Sequence, residues 1–117
     1  MILTGRCILV VEDESLIAML VEDALTDAGA EVLGPAATVE EALALFESRR
    51  PEAAVLDINL AGQVSTPVAD LLAESGVPFV VATGYGAAGL SERHRGVTVL
   101  AKPYDPRELV EALARIC

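Results

Sequence analysis

The chain has no run of about eighteen apolar residues of the kind that crosses a bilayer as a helix. Its opening Met-Ile-Leu-Thr-Gly-Arg also lacks the basic-then-apolar order of a secretory leader. Together these absences predict a soluble cytoplasmic protein with no membrane partner. Cysteine is scarce: Cys7 lies in an apolar run that reads as a buried strand, and Cys117 is the last residue of the sequence. Neither a disulfide framework nor a metal-binding spacing can be built from that pair, so both read as reduced thiols without a catalytic role. Positive charge is in short supply too, with 8 Lys and Arg against 18 Asp and Glu and a net charge of −10. A surface of that sign releases no counterions from polyphosphate, which argues against nucleic acid and anionic membranes and leaves proteins or cations as partners. For most single surface carboxylates, solubility is as good an account as any partner.

What is present is apolar sequence. Hydrophobic residues make up 53% of 117 positions, enough to fill one core, and one domain spanning residues 1–117 is expected with no room for a second. Short β-branched runs alternate with helix-periodic segments, the pattern of a parallel sheet covered by helices. Cys7 to Val11 reads as a first buried strand, and a helix from Ser15 shows Leu16, Ile17, Leu20, Val21 and Ala24 on one face until Gly29 ends it. Glu31 to Pro35 is a second strand. Thr38-Val39-Glu40-Glu41 opens a helix as a capping box, with Val39, Ala42, Leu43 and Phe46 inward. Ala53 to Asp57 is a third strand, followed by a helix with Thr66 as N-cap and Pro67 at its first position. Pro78 to Thr83 and Val97 to Ala101 give the fourth and fifth strands. Asp105-Pro106-Arg107-Glu108 caps a last helix that buries Leu109, Val110, Leu113 and Ile116. Between those strands, Gly84, Gly86, Gly89 and Gly96 surround one large aliphatic, Leu90, which predicts a short and mobile segment.

Ligands of open parallel sheets bind beyond the carboxyl ends of the strands, and the polar residues collect there. Strand one ends in Glu12-Asp13, strand three in Asp57, strand four in Thr83 and strand five in Lys102. Carboxylates brought together repel, and protonation, a bound cation or a nearby ammonium must offset the field; magnesium, which prefers oxygen ligands, fits best. With Asp13 and Asp57 on the metal, helped by Glu12, Asp57 can attack the phosphorus of an incoming phosphoryl group. Lys102 is the only lysine, a compact ammonium suited to a point contact with a phosphoryl oxygen, and Thr83 offers a hydroxyl to another. Read singly, each residue has a plainer account: a strand-ending turn for Lys102-Pro103, an Asx turn for Asp57-Ile58-Asn59. Their convergence on one sheet edge favours function.

The acidic pair, Asp57, Thr83 and Lys102-Pro103, in that order, resemble the receiver domain of bacterial two-component response regulators over the full chain. The resemblance implies a flavodoxin-like α/β fold, doubly wound, with a five-stranded parallel sheet ordered 2-1-3-4-5. It also implies magnesium-dependent transfer of a phosphoryl group to Asp57 from a histidine kinase or histidine phosphotransfer protein, with Asn59 giving its backbone carbonyl to the metal. The output would be a downstream protein bound at a switched surface made of the fourth helix, fifth strand and fifth helix, without enzymatic turnover of a substrate. Thr83-Gly84-Tyr85-Gly86 is similar to a variant receiver subgroup, often stand-alone, that carries such a sequence after strand four. One departure stands out: Val99 occupies the position, three residues before the lysine, where typical receivers have Tyr or Phe. Tyr85 and Tyr104 are the nearby aromatics that could carry the switch instead, or simply pack. His94, between Arg93 and Arg95, is assigned no role.

Other functions fit less well. A phosphatase of the haloacid-dehalogenase kind needs a second Asp two residues after its nucleophile, where this chain has Asn59 and thus no general acid. A flavodoxin-like cofactor binder needs a neutral phosphate loop after strand one, where Glu12-Asp13-Glu14 would repel a phosphate. A receiver-like interaction module that is never phosphorylated would not require the full acceptor set.

Overall fold

The structure, a computed structural model, describes residues 2–60, 63–83, 97–101 and 104–117. Five strands form one parallel sheet: β1 (Cys7–Val11), β2 (Glu31–Ala36), β3 (Ala53–Asp57), β6 (Phe79–Thr83) and β7 (Thr98–Ala101), in the order β2-β1-β3-β6-β7. In terms of the sheet alone this is the expected 2-1-3-4-5 order. Between β3 and β6 lies a separate antiparallel hairpin, β4 (Asn59–Leu60) and β5 (Gln63–Val64), which periodicity did not announce.

The three central strands are buried at every position, as continuous runs such as Cys-Ile-Leu-Val-Val demand when both faces of a sheet are covered. Alternate residues serve opposite faces. Leu9, Val11, Leu56 and Val81 pack under α2 (Val39–Ser48) and α3 (Thr66–Glu74), joined by Val39, Ala42, Val68 and Leu72. Ile8, Val10, Val55 and Val80 pack under α1 (Ser15–Asp27) and α4 (Pro106–Ile116), joined by Val21, Leu25, Leu109 and Leu113.

Helix ends follow the sequence with one shift. Thr38 Oγ1 accepts the Glu41 N–H at 3.1 Å and opens α2; Asp105 Oδ1 accepts the Arg107 N–H at 2.9 Å and opens α4. Leu43 and Phe46, and likewise Val110 and Ile116, are half-buried at the margins of the core. For α3 the cap is Ser65, not Thr66, so that Pro67 is the second helical residue. The Ser65 carbonyl accepts the Val68 and Ala69 amides, and proline's missing N–H is as harmless at the second position as at the first, because neither has an intrahelical partner.

The inward face of α1 also differs from expectation. Ala18, Val21 and Leu25 are buried, Ile17 and Ala24 are half-buried, and Leu16 and Leu20 stand 66% and 49% exposed. Residues 16–21 are apolar without interruption, so periodicity cannot choose a face there; packing on the sheet selects the 18, 21, 25 stripe. The glycine-bordered segment expected to be short and mobile, with Tyr85 and His94, lies outside the described residues, as do Lys102 and Pro103.

Candidate functional site

Strand register brings the acidic groups together. Val11 pairs with Leu56, so Glu12 follows β1 at the level where Asp57 ends β3. The Glu12 amide is tied to the Ala36 carbonyl at 2.9 Å, which carries the β1–β2 pairing one residue past the strand. Glu12 Oε2 then accepts the Glu14 N–H at 3.1 Å, and the Glu14 carbonyl accepts the Ala18 amide in the first turn of α1. The outcome is one carboxylate oxygen each from Glu12, Asp13 and Asp57, all within 4.8 Å of one another. Glu12 and Asp57 are buried, whereas Asp13 is exposed.

Two buried carboxylates and a third at the rim concentrate negative charge, and a cation relieves it at least cost. An all-oxygen donor set with an exposed side suits magnesium, which keeps part of its water shell and accepts few protein ligands. On donor chemistry and spacing the residues fit that ion.

Strand register sets a further predicted residue, Thr83, against Asp57. Asp57 pairs with Ala82, so Thr83 ends β6 one residue beyond the level of Asp57, and it is buried. Thr83 in turn pairs with Ala101, the residue before Lys102. Lys102 and Tyr85 lie outside the described residues. Asn59 opens β4, two residues after Asp57, and the Ile58 carbonyl between them accepts the Ser65 N–H at 2.7 Å, closing the base of the hairpin. Val99 is half-buried against the α2–α3 face, and Tyr104 is half-buried against the α1–α4 face.

The backbone partners of Glu12, the Ala36 carbonyl and the Glu14 amide, could not be read from side-chain patterns.

Comparison with known proteins gives a consistent picture. Residues 8–114 match the model of the response regulator receiver domain. The phyllosphere-induced regulator PhyR of Methylorubrum extorquens is 37% identical over 112 residues, which cover 92% of this chain and 42% of that protein. Among solved structures, SdrG from Sphingomonas melonis Fr1 superposes with a TM-score of 0.83 at 44% identity, covering 99% of this chain and 98% of that one. The response regulator PhyR from Brucella abortus gives 0.84 at 30% identity, covering 97% of this chain and 48% of that one. The chain spans about half the length of the curated relatives it matches, between 42% and 55% for the PhyR and PdtaR proteins.

Proposed function

The chain belongs to the response regulator receiver domain family of two-component systems, and we propose that it acts as a phosphoacceptor switch with Asp57 as the acceptor. The observation that carries this reading is the three-carboxylate cluster at the ends of β1 and β3, with oxygens within 4.8 Å of one another and two of its members buried. Glu12, Asp13 and Asp57 would hold magnesium there, and the ion would supply positive charge to offset that of an incoming phosphoryl group.

The donor is a phosphohistidine of a histidine kinase or histidine phosphotransfer protein. An Asp57 carboxylate oxygen forms the new bond to phosphorus, the phosphorus–nitrogen bond breaks, and the leaving imidazole nitrogen takes up a proton. Asp57 starts this step buried and held at the end of β3; catalysis of this kind is positioning plus electrostatics. Glu12 and Asp13 would hold the metal with Asp57 and the Asn59 carbonyl, Thr83 would donate its hydroxyl to a phosphoryl oxygen, and Lys102 would supply an ammonium to another. The switch acts in the cytoplasm, residues 1–117 serve as one receiver unit, and its phosphorylated form is read by a downstream protein. Because Val99 cannot rotate as an aromatic would, Tyr85 or Tyr104 carries the change outward.

Intact-mass measurement after incubation with acetyl phosphate and magnesium tests the reading. One phosphoryl adduct is expected on the wild type and none on Asp57→Asn or in excess chelator. Undiminished labelling of Asp57→Asn would overturn it.

A further inference from the structure

Strand β2 does not run beside β1 at an even pace. Leu9 pairs with Leu33, yet Val11 pairs with Ala36, so that Val10 alone faces both Gly34 and Pro35. One extra residue on the β2 side makes a bulge, a device that re-aims the next stretch of strand. Pro35 suits it, since a residue without an N–H can stand out of the ladder on an edge strand. The next residue is Ala36, fully buried, whose carbonyl receives the Glu12 amide.

Gly34 is the residue on which the bulge depends. Its φ of +102° lies in a region that side chains disfavour. A Cβ there would meet the Ala36 nitrogen at 2.8 Å and the Val10 carbonyl oxygen at 3.0 Å, both backbone atoms that cannot swing aside. Any side chain must therefore push Ala36 away from β1 or push Val10 out of line. Either movement acts on the bond between Ala36 and Glu12, the last pairing before the acidic cluster.

From this geometry we infer that Gly34 is a positioning residue for the metal site. Its bulge sets the register that holds the Ala36 carbonyl on the Glu12 amide, and so fixes where the Glu12 and Asp13 carboxylates stand relative to Asp57. The inference rests on the magnesium reading of that cluster and adds to it a residue that contributes no ligand.

The test is the magnesium affinity of wild type, Gly34→Ala and Gly76→Ala, measured by calorimetric or NMR titration with magnesium chloride beside thermal melts. Gly76 is the control: its φ is +73°, an added Cβ meets nothing within 4 Å, and it lies between α3 and β6 at the opposite sheet edge from the cluster. Both variants should melt at lower temperature. Only Gly34→Ala should lose magnesium affinity, by about tenfold or more, the usual scale for an outer partner that orients metal ligands. A folded Gly34→Ala with wild-type affinity overturns the inference while leaving the magnesium reading intact; a wild type that binds no magnesium removes both.

Should Gly34→Ala not fold, the wild type decides by amide NMR. Coupling between sites is reciprocal, so magnesium must shift the Gly34 and Ala36 amides together with that of Glu12. Shifts that reach Glu12 and leave Gly34 and Ala36 unmoved overturn the inference.

Discussion

Glu14 gives its backbone N–H to Glu12 Oε2 at 3.1 Å, so the residue at the N-cap of α1 also holds a buried carboxylate of the acidic cluster. The acidic cluster and the start of α1 are thereby one local structure. A change in the charge on the cluster is felt by the first turn of α1.

The cluster should be a source of instability when no cation is present. Asp57→Asn removes one like charge from a group whose oxygens lie within 4.8 Å. At about 4 Å such a repulsion is worth about 1 to 4 kcal/mol between water-like and surface-like screening. The variant is expected to resist urea better than wild type in chelator. Magnesium should raise the wild-type midpoint and leave the variant nearly unchanged, by the linkage of binding to stability.

Capping of α2 is independent of the site. Thr38→Ala loses the acceptor for the Glu41 N–H and should cost about 1 kcal/mol in urea unfolding. Its magnesium affinity should equal that of wild type, and a parallel loss of affinity would show that α2 and the acidic cluster are coupled after all.

Acid should weaken two surface anchors. The Arg49 guanidinium, bonded to Glu31 across both oxygens, holds that carboxyl below its usual range, and the Arg107 amide at the α4 cap does the same for Asp105. Since both folded-state values are lowered, their stabilisation is complete above the ordinary carboxylate range. It is lost as pH falls through the lowered values, in the region below about pH 4. Urea midpoints measured from pH 7 to pH 3 should fall less steeply for Glu31→Gln and Asp105→Asn than for wild type. The Glu31 effect should be small and fade in salt, because that pair is exposed.

The two thiols should differ sharply in reactivity. Burial raises the Cys7 pKa and also hides its sulfur in β1, whereas Cys117 is exposed at the end of α4. Iodoacetamide should modify Cys117 alone in the native protein, faster with rising pH because its pKa is also raised by partial burial. Cys7 should react only on unfolding, as mass mapping of labelled peptides would reveal.

Much of this architecture was legible from residue types. The continuous runs at Cys7–Val11, Ala53–Asp57 and Phe79–Thr83 announced strands covered on both faces, and Thr38 and Asp105 announced their helices. The closeness of Glu12, Asp13 and Asp57 was legible because each stands at or just past the end of a strand in a sheet expected to be parallel. Pattern could not give phase in uninterrupted apolar sequence, hence the exposed Leu16 and Leu20. Nor could it give the backbone contributions of Ala36 and Glu14, which any residue type could supply. The α3 cap moved from Thr66 to Ser65 for the related reason that proline tolerates either of two positions.

The central place of β1 also bears on how the chain finds its fold. Its partners come from far along the sequence: Cys7 meets Glu31, and Ile8 meets both Val32 and Ala53. No hairpin joins any two strands of the main sheet, so every pairing waits for a loop closure between distant segments. Such non-local wiring slows folding compared with helical bundles of the same size. During synthesis, β1 emerges first and stays unpaired on one flank until Ala53 to Asp57 have been made. Through that interval its Ile-Leu-Val-Val run has α1, β2 and α2 against it and lacks its β3 flank.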